Sequence, residues 1–189
     1  MADQPIALVD HDPSWHDRFL AQRDVLARLL RPWLAGPPEH IGSTAVPGLR
    51  AKPVVDILAP VRSFTEAGQA VAVLEQDGWL FWPADPNRFY RLWFLRPTPE
   101  ARSHHLQIMQ HDHAERHKLL LFRDVLRQDA ALRHAYAALK DRLAAQHHMD
   151  REAYTDAKSD FVRSVLQAAG AAPPSRLPVS QVDQHRMRD

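Results

Sequence analysis

The stretch from His40 to Leu58, HIGSTAVPGLRAKPVVDIL, gathers groups that can do chemistry. A glycine and two hydroxyls stand ahead of a Pro-Gly turn, two cations follow it, and one carboxylate lies inside an apolar run. Gly42, Ser43 and Thr44 suit anion binding, because a backbone without a side chain can approach phosphate closely and hydroxyls add donors. The plainer alternative is a hydrogen-bonded turn. Arg50 and Lys52 can meet phosphate or carboxylate, Arg as a bidentate fork and Lys as a point charge, or can remain solvated surface charges. Asp56 has two readings: a ligand, or a buried acid that accepts hydrogen bonds from backbone or Thr44 and fixes the loop.

Histidine supplies the other candidate chemistry. His104, His105, His111, His113 and His117 are dense, but their spacing offers only i, i+2 and i, i+4 pairs, so surface coincidence competes with a zinc site. His147-His148 at a helix end has a plain explanation in the favourable meeting of imidazolium with helix C-terminal carbonyls. Arg123 and Arg127 are one helical turn apart, as are Tyr154 and Lys158. Each pair can line a cleft, or can make interhelical ion pairs with Asp124, Asp141, Asp150 or Asp156, the role favoured here.

The elements that must position these groups follow from periodicity. PIALVD reads as a short strand; the next segment opens a helix with Asp12 as N-cap and Pro13 at its first position. Phe19, Val25, Leu26, Leu29, Leu30 and Trp33 fall on one stripe of that helix. PEHIG predicts a short strand, and PVVDILAPV a strand buried on both faces, with Asp56 inside it. SFTEAGQAVAVLEQ predicts a helix stopped by Gly78. WLFW and FYRLWFL, separated by PADPN, predict a hairpin or meander whose aromatics are mainly core, and HHLQIMQ a further strand. Three helices are expected afterwards, the first capped by Asp112 with Glu115 three residues on. Residues 171–189 read as a mobile tail.

Composition excludes several classes. With 24 basic and 23 acidic residues among 189, no global field argues for nucleic acid or an anionic membrane. The absence of cysteine removes disulfides, thiolate metal sites and cysteine nucleophiles. No apolar run reaches the roughly 18–20 residues of a membrane span, and MADQPIALVDHDPSW lacks the pattern of a signal peptide. A cytoplasmic protein is expected, of one domain over residues 1–170. Oligomeric state is left open by the sequence.

The segments EHIGSTAVPGLRAKPVVDIL, SHHLQI, LLLFRDVLR, YAALKDRLA and DREAYTDAKSDFV, in this order, resemble the GrpB family over roughly Ile6 to Leu166. That family is also found fused behind dephospho-CoA kinase, and it resembles the nucleotidyltransferase fold superfamily. The resemblance implies an α/β (α+β) fold: a nucleotidyltransferase-like mixed β-sheet packed by helices, with a C-terminal helical subdomain. It also implies binding of a nucleotide or other phosphorylated small molecule together with a divalent metal, Mg²⁺ or Mn²⁺, with nucleotidyl transfer to an unknown acceptor. In that frame Gly42, Ser43 and Thr44, with Arg50 and Lys52, hold phosphate; Asp56 is the catalytic first acid and metal ligand, and His105 a further metal ligand. The usual second acid lies two residues beyond the first, on the same strand face, where this chain has Leu58. Gln107 likewise replaces the second His of the family's His-Leu-His pattern. The alternative is a noncatalytic binding or partner module of the same fold for a nucleotide- or CoA-related ligand.

Overall fold

The computed structural model describes residues 5–170; the expected tail at 171–189 lies outside the described residues. A five-stranded mixed sheet with helices packed on it is the fold that was expected. Its strands are β1 (Glu39–Ile41), β2 (Val55–Val61), β3 (Leu80–Phe81), β4 (Arg91–Arg96) and β5 (His104–Gln110), in the spatial order β1-β2-β5-β4-β3. Only β2 and β5 run parallel, and their register sets Asp56 opposite His105 and Leu58 opposite Gln107. Antiparallel β1 places Ile41 opposite Asp56.

Alternation along β2 decides what each face of the sheet holds. Val55, Ile57, Ala59 and Val61 join Leu106 and Ile108 of β5 in the main core, beneath α1 (Ser14–Leu29) and the short helices α2 (Phe64–Ala67) and α3 (Ala70–Gln76). Asp56 and Leu58 point to the opposite face. There Leu58 is fully buried with Ile41 and Met109, against Leu119 and Leu120 of α4 (Ala114–Gln128). The face is completed by α5 (Ala130–Gln146), α6 (Arg151–Asp156) and α7 (Ser159–Ala168).

Local signals account for most boundaries. Asp12 Oδ1 accepts the Ser14 N–H at 2.9 Å, although the helix begins one residue later than expected, with Pro13 rather than Asp12 at the capping position, and Trp15 joins the expected apolar stripe as a buried residue. The differences are local as well. PIALVD is not a strand; its ladder pairing is confined to an antiparallel bridge, Val9 to Ala51, while Ile6 packs with Leu143 and Tyr154 and its N–H donates to His148 O. The predicted helix from Ser63 to Gln76 is two helices broken at Gly68. His113, not Asp112, caps α4: its Nδ1 accepts the Glu115 N–H at 3.2 Å, while Asp112 accepts from Gln110. The last predicted helix divides at Ala157-Lys158, giving four helices rather than three. Among the described residues no helix is long and apolar enough to cross a membrane.

Candidate functional site

The site starts at Gly42, where φ is +72°, a conformation that side-chain-bearing residues seldom adopt. A Cβ there would lie 2.4 Å from Asp56 Oδ2, so the glycine is required twice, by its backbone and by the carboxylate resting on it. This close approach follows from the pairing of Ile41 with Asp56 across β1 and β2. Immediately after Gly42 the chain makes a single 3₁₀ turn, Ser43–Ala45.

That turn is held from several sides. Thr44 Oγ1 donates to Val54 O at 3.1 Å and meets His40 Nε2 at 3.0 Å, so the imidazole donates to the hydroxyl. Burial lowers the His40 pKa to about 4, leaving the ring neutral at ordinary pH. Ser43 hydrogen-bonds the phenol of Tyr136, whose own ionisation burial pushes upward. Arg127 Nε donates to Ala45 O at 2.9 Å, and Arg123 reaches His40 O at 2.9 Å and Glu39 at 3.4 Å. Arg123 and Arg127 thus fasten α4 to β1 and the turn, with Asp124 on their own helix as their acidic partner.

Asp56 Oδ1 and His105 Nδ1 are 2.9 Å apart, side by side on the parallel strands. The acid therefore bonds an imidazole, and not Thr44. Together they face a cavity of about 140 Å³ whose walls include Ser43, Thr44 and Lys52 from the opening stretch. Three elements of the helical half add Lys140 from α5, Tyr154 from α6 and Lys158 from the α6–α7 break. Lys158 Nζ sits 4.1 Å and Lys52 Nζ 4.7 Å from the Tyr154 ring centroid, placing both ammonium groups on one aromatic ring.

Among the described residues three lysines thus share a cavity with one carboxylate, and burial opposes the charge of Lys140 and Lys158. Lys140, almost wholly buried and hydrogen-bonded to Arg50 O, has its pKa lowered to about 7 by burial and then by Lys158. Burial lowers Lys158 to about 8, with Asp56 pulling the other way. The Tyr154 phenol is pushed up to about 12 by burial, so it remains a neutral donor. An ammonium taken out of water is costly, and a multiply charged anion relieves that cost in Lys140 and Lys158 together.

Of the residues singled out in the sequence, Gly42, Ser43, Thr44, Lys52, Asp56 and His105 converge here. Arg50 does not line the cavity. It pairs with Asp10 at 2.9 Å and Asp141 at 2.8 Å, and holds Leu8 O. Tyr154 and Lys158, for which interhelical ion pairs were favoured, line the cavity instead. Lys140 went unremarked, although Tyr136, Lys140 and Leu143 recur at helical spacing along the buried stripe of α5, where a lysine among apolar positions was the available signal.

The residues do not suit a resident divalent metal. Among the described residues Asp56 is the one carboxylate lining the cavity, its Oδ1 bonded to His105 and its Oδ2 against Gly42. The place of a second acid holds Leu58, sealed beneath α4, and Gln107 accepts from Arg91, which is itself paired with buried Asp85. Among the described residues no three His, Cys, Asp or Glu side chains are grouped to hold an ion.

Known proteins share this arrangement of chain. The model of the family described as GrpB protein matches residues 5–168. The UPF0157 protein PA4798 of Pseudomonas aeruginosa is 40% identical over 185 residues, covering 95% of this chain and 73% of that protein. The UPF0157 protein SCO7215 of Streptomyces coelicolor is 38% identical over 169 residues, covering 88% of this chain and 86% of that protein. Among solved structures, the conserved protein GrpB from Enterococcus faecalis superposes with a TM-score of 0.76 at 28% identity, covering 86% of this chain and 96% of that one.

Proposed function

Because this chain belongs to the GrpB family, with the lysine-lined cavity beside its Gly42–Asp56 contact, we propose that it binds the phosphate groups of a nucleotide or related phosphorylated small molecule there. The observation that carries the reading is the convergence of Lys52, Lys140 and Lys158 with the Ser43 and Thr44 hydroxyls on a single cavity. Its volume, about 140 Å³, falls short of the roughly 300–1,000 Å³ of pockets that enclose whole organic ligands. The phosphates enter, and the rest of the ligand lies at the mouth.

In this reading Ser43 orients a phosphate oxygen, Thr44, whose hydroxyl is taken up by Val54 O and His40, holds the turn, the lysines neutralise the phosphate, and Asp56 fixes the His105 tautomer by accepting from Nδ1–H. Nucleotidyl transfer is the further step that the family resemblance suggests, and it would need a divalent ion to neutralise the phosphate charge. One carboxylate supplies that chemistry poorly, and the apolar burial of Leu58 favours the second reading, a binding module without transfer.

Calorimetric titration with ATP, CTP, GTP and UTP, each with and without Mg²⁺ or Mn²⁺, tests the binding. We expect affinity without metal for at least one nucleotide; none in any condition contradicts the proposal. Pyrophosphate release on incubation separates transfer from binding alone. Asp56→Asn removes a negative charge facing the phosphates and should tighten metal-free binding. A loss of metal-free affinity in a folded variant would mean that Asp56 itself holds the ligand.

A further inference from the structure

A second, larger cleft adjoins the first and shares Thr44 with it. Its volume is about 760 Å³, within the range of pockets for organic small molecules, and it lies among the start of α1, the Ser43–Ala45 turn, the end of α4 and the start of α5. The charge in its walls is lopsided. Among the described residues lining it, Arg127 and Arg133 stand against one carboxylate, that of Asp17, while His11, His16 and His40 bring no negative charge in any protonation state.

Both guanidinium groups are held in place from behind. Arg127 Nε donates to Ala45 O at 2.9 Å, and Arg133 Nη1 donates to Leu126 O at 3.0 Å. Arg127 Nη1 makes only a long contact with Asp124, at 3.5 Å. Arg127 Nη2, with Nε and Nη2 of Arg133, meets no partner among the described residues. Such anchored forks lose little further side-chain freedom when they take a planar carboxylate or a phosphate. His40, stacked on Phe19 with ring centroids 4.8 Å apart and bonded to Thr44, gives the cleft a rigid neutral wall.

From this geometry we propose that the second cleft binds a small organic anion, carboxylate- or phosphate-bearing, clamped by Arg127 and Arg133. The inference does not depend on what occupies the lysine-lined cavity. With Thr44 in both walls, the two ligands would sit next to one another, as a donor and an acceptor must, or as two ligands read by one module.

Arginine side-chain ¹⁵N–¹H spectra, titrated with citrate and separately with phenyl phosphate, test it. At least one probe should shift the Arg127 and Arg133 Nε–H signals along a saturable curve, and the response should persist in Lys158→Met. Arg133→Gln should weaken binding by about ten- to hundredfold, the loss of charge-assisted hydrogen bonds, and Arg133→Lys by less. Circular dichroism on both variants confirms that they remain folded. Two results overturn the proposal: no shift at either arginine with either probe, or a response that survives Arg133→Gln and vanishes in Lys158→Met, which would put the anion in the lysine cavity.

Discussion

At Gly42 two costs coincide that can be measured apart. Gly48 also has positive φ, +76°, but nothing lies within 4 Å of a Cβ built there. Gly48→Ala should therefore cost only the backbone term, about 1–2 kcal/mol. Gly42→Ala adds the collision with Asp56 and should cost more, in total about 3 kcal/mol or above, with loss of anion binding. Urea unfolding of the two variants checks the difference, and equal losses would deny the Gly42–Asp56 contact a structural role. Leu58→Asp, the substitution that would restore a two-acid pattern, should instead destabilise by about 3–5 kcal/mol, because the position is fully buried among Ile41 and Met109. The Gly-Ser-Thr turn, Lys52, Asp56 and His105 were legible in the sequence because strand alternation and a glycine-bearing turn are local patterns. Lys140 was not, since its meaning depends on which face of α5 meets the sheet.

Among the elements, α4 is the clamp. Arg123, with its side chain largely buried, bonds Asp124 twice, His40 O and Glu39. Arg123→Ala should cost about 2–4 kcal/mol by leaving Glu39 and the His40 carbonyl under-partnered, again read by urea unfolding. A loss below about 0.5 kcal/mol would show that α4 is held by its apolar face alone. The strands β1, β2, β4 and β5 could be read from apolar runs and aromatic content, but the helix breaks could not. The division at Ala157-Lys158 carries no glycine or proline, though weak helix formers, Thr155, Asp156, Ser159 and Asp160, flank it, and it is the turn that brings Lys158 to the cavity. The bridge at Val9 has the alternation of a strand, yet it pairs only with Ala51 beside the loop. Its extent was set by tertiary contact rather than propensity.

Over the whole molecule, buried bases and phenols give stability an unusual pH profile. His40 and His104 are lowered to about 4, and Lys140 and Lys158 to about 7 and about 8, so the unfolded chain binds more protons than the folded one from about pH 4 up to the ordinary lysine value. Stability should then rise with pH across that window. Tyr154, raised from 10.0 to about 12, reverses the sign above about pH 10, because there the folded chain binds the extra proton. Thermal unfolding without ligand should give a higher Tm at about pH 9 than at about pH 6.5. Anion affinity should run the opposite way, falling as Lys140 and Lys158 lose charge. The most direct measurement is titration of the protein and of Lys158→Met with inorganic pyrophosphate at these two pH values. The account predicts saturable binding that is stronger at the lower pH and weakened by about tenfold or more in Lys158→Met. Binding that is absent, or equally strong in the variant, would contradict it.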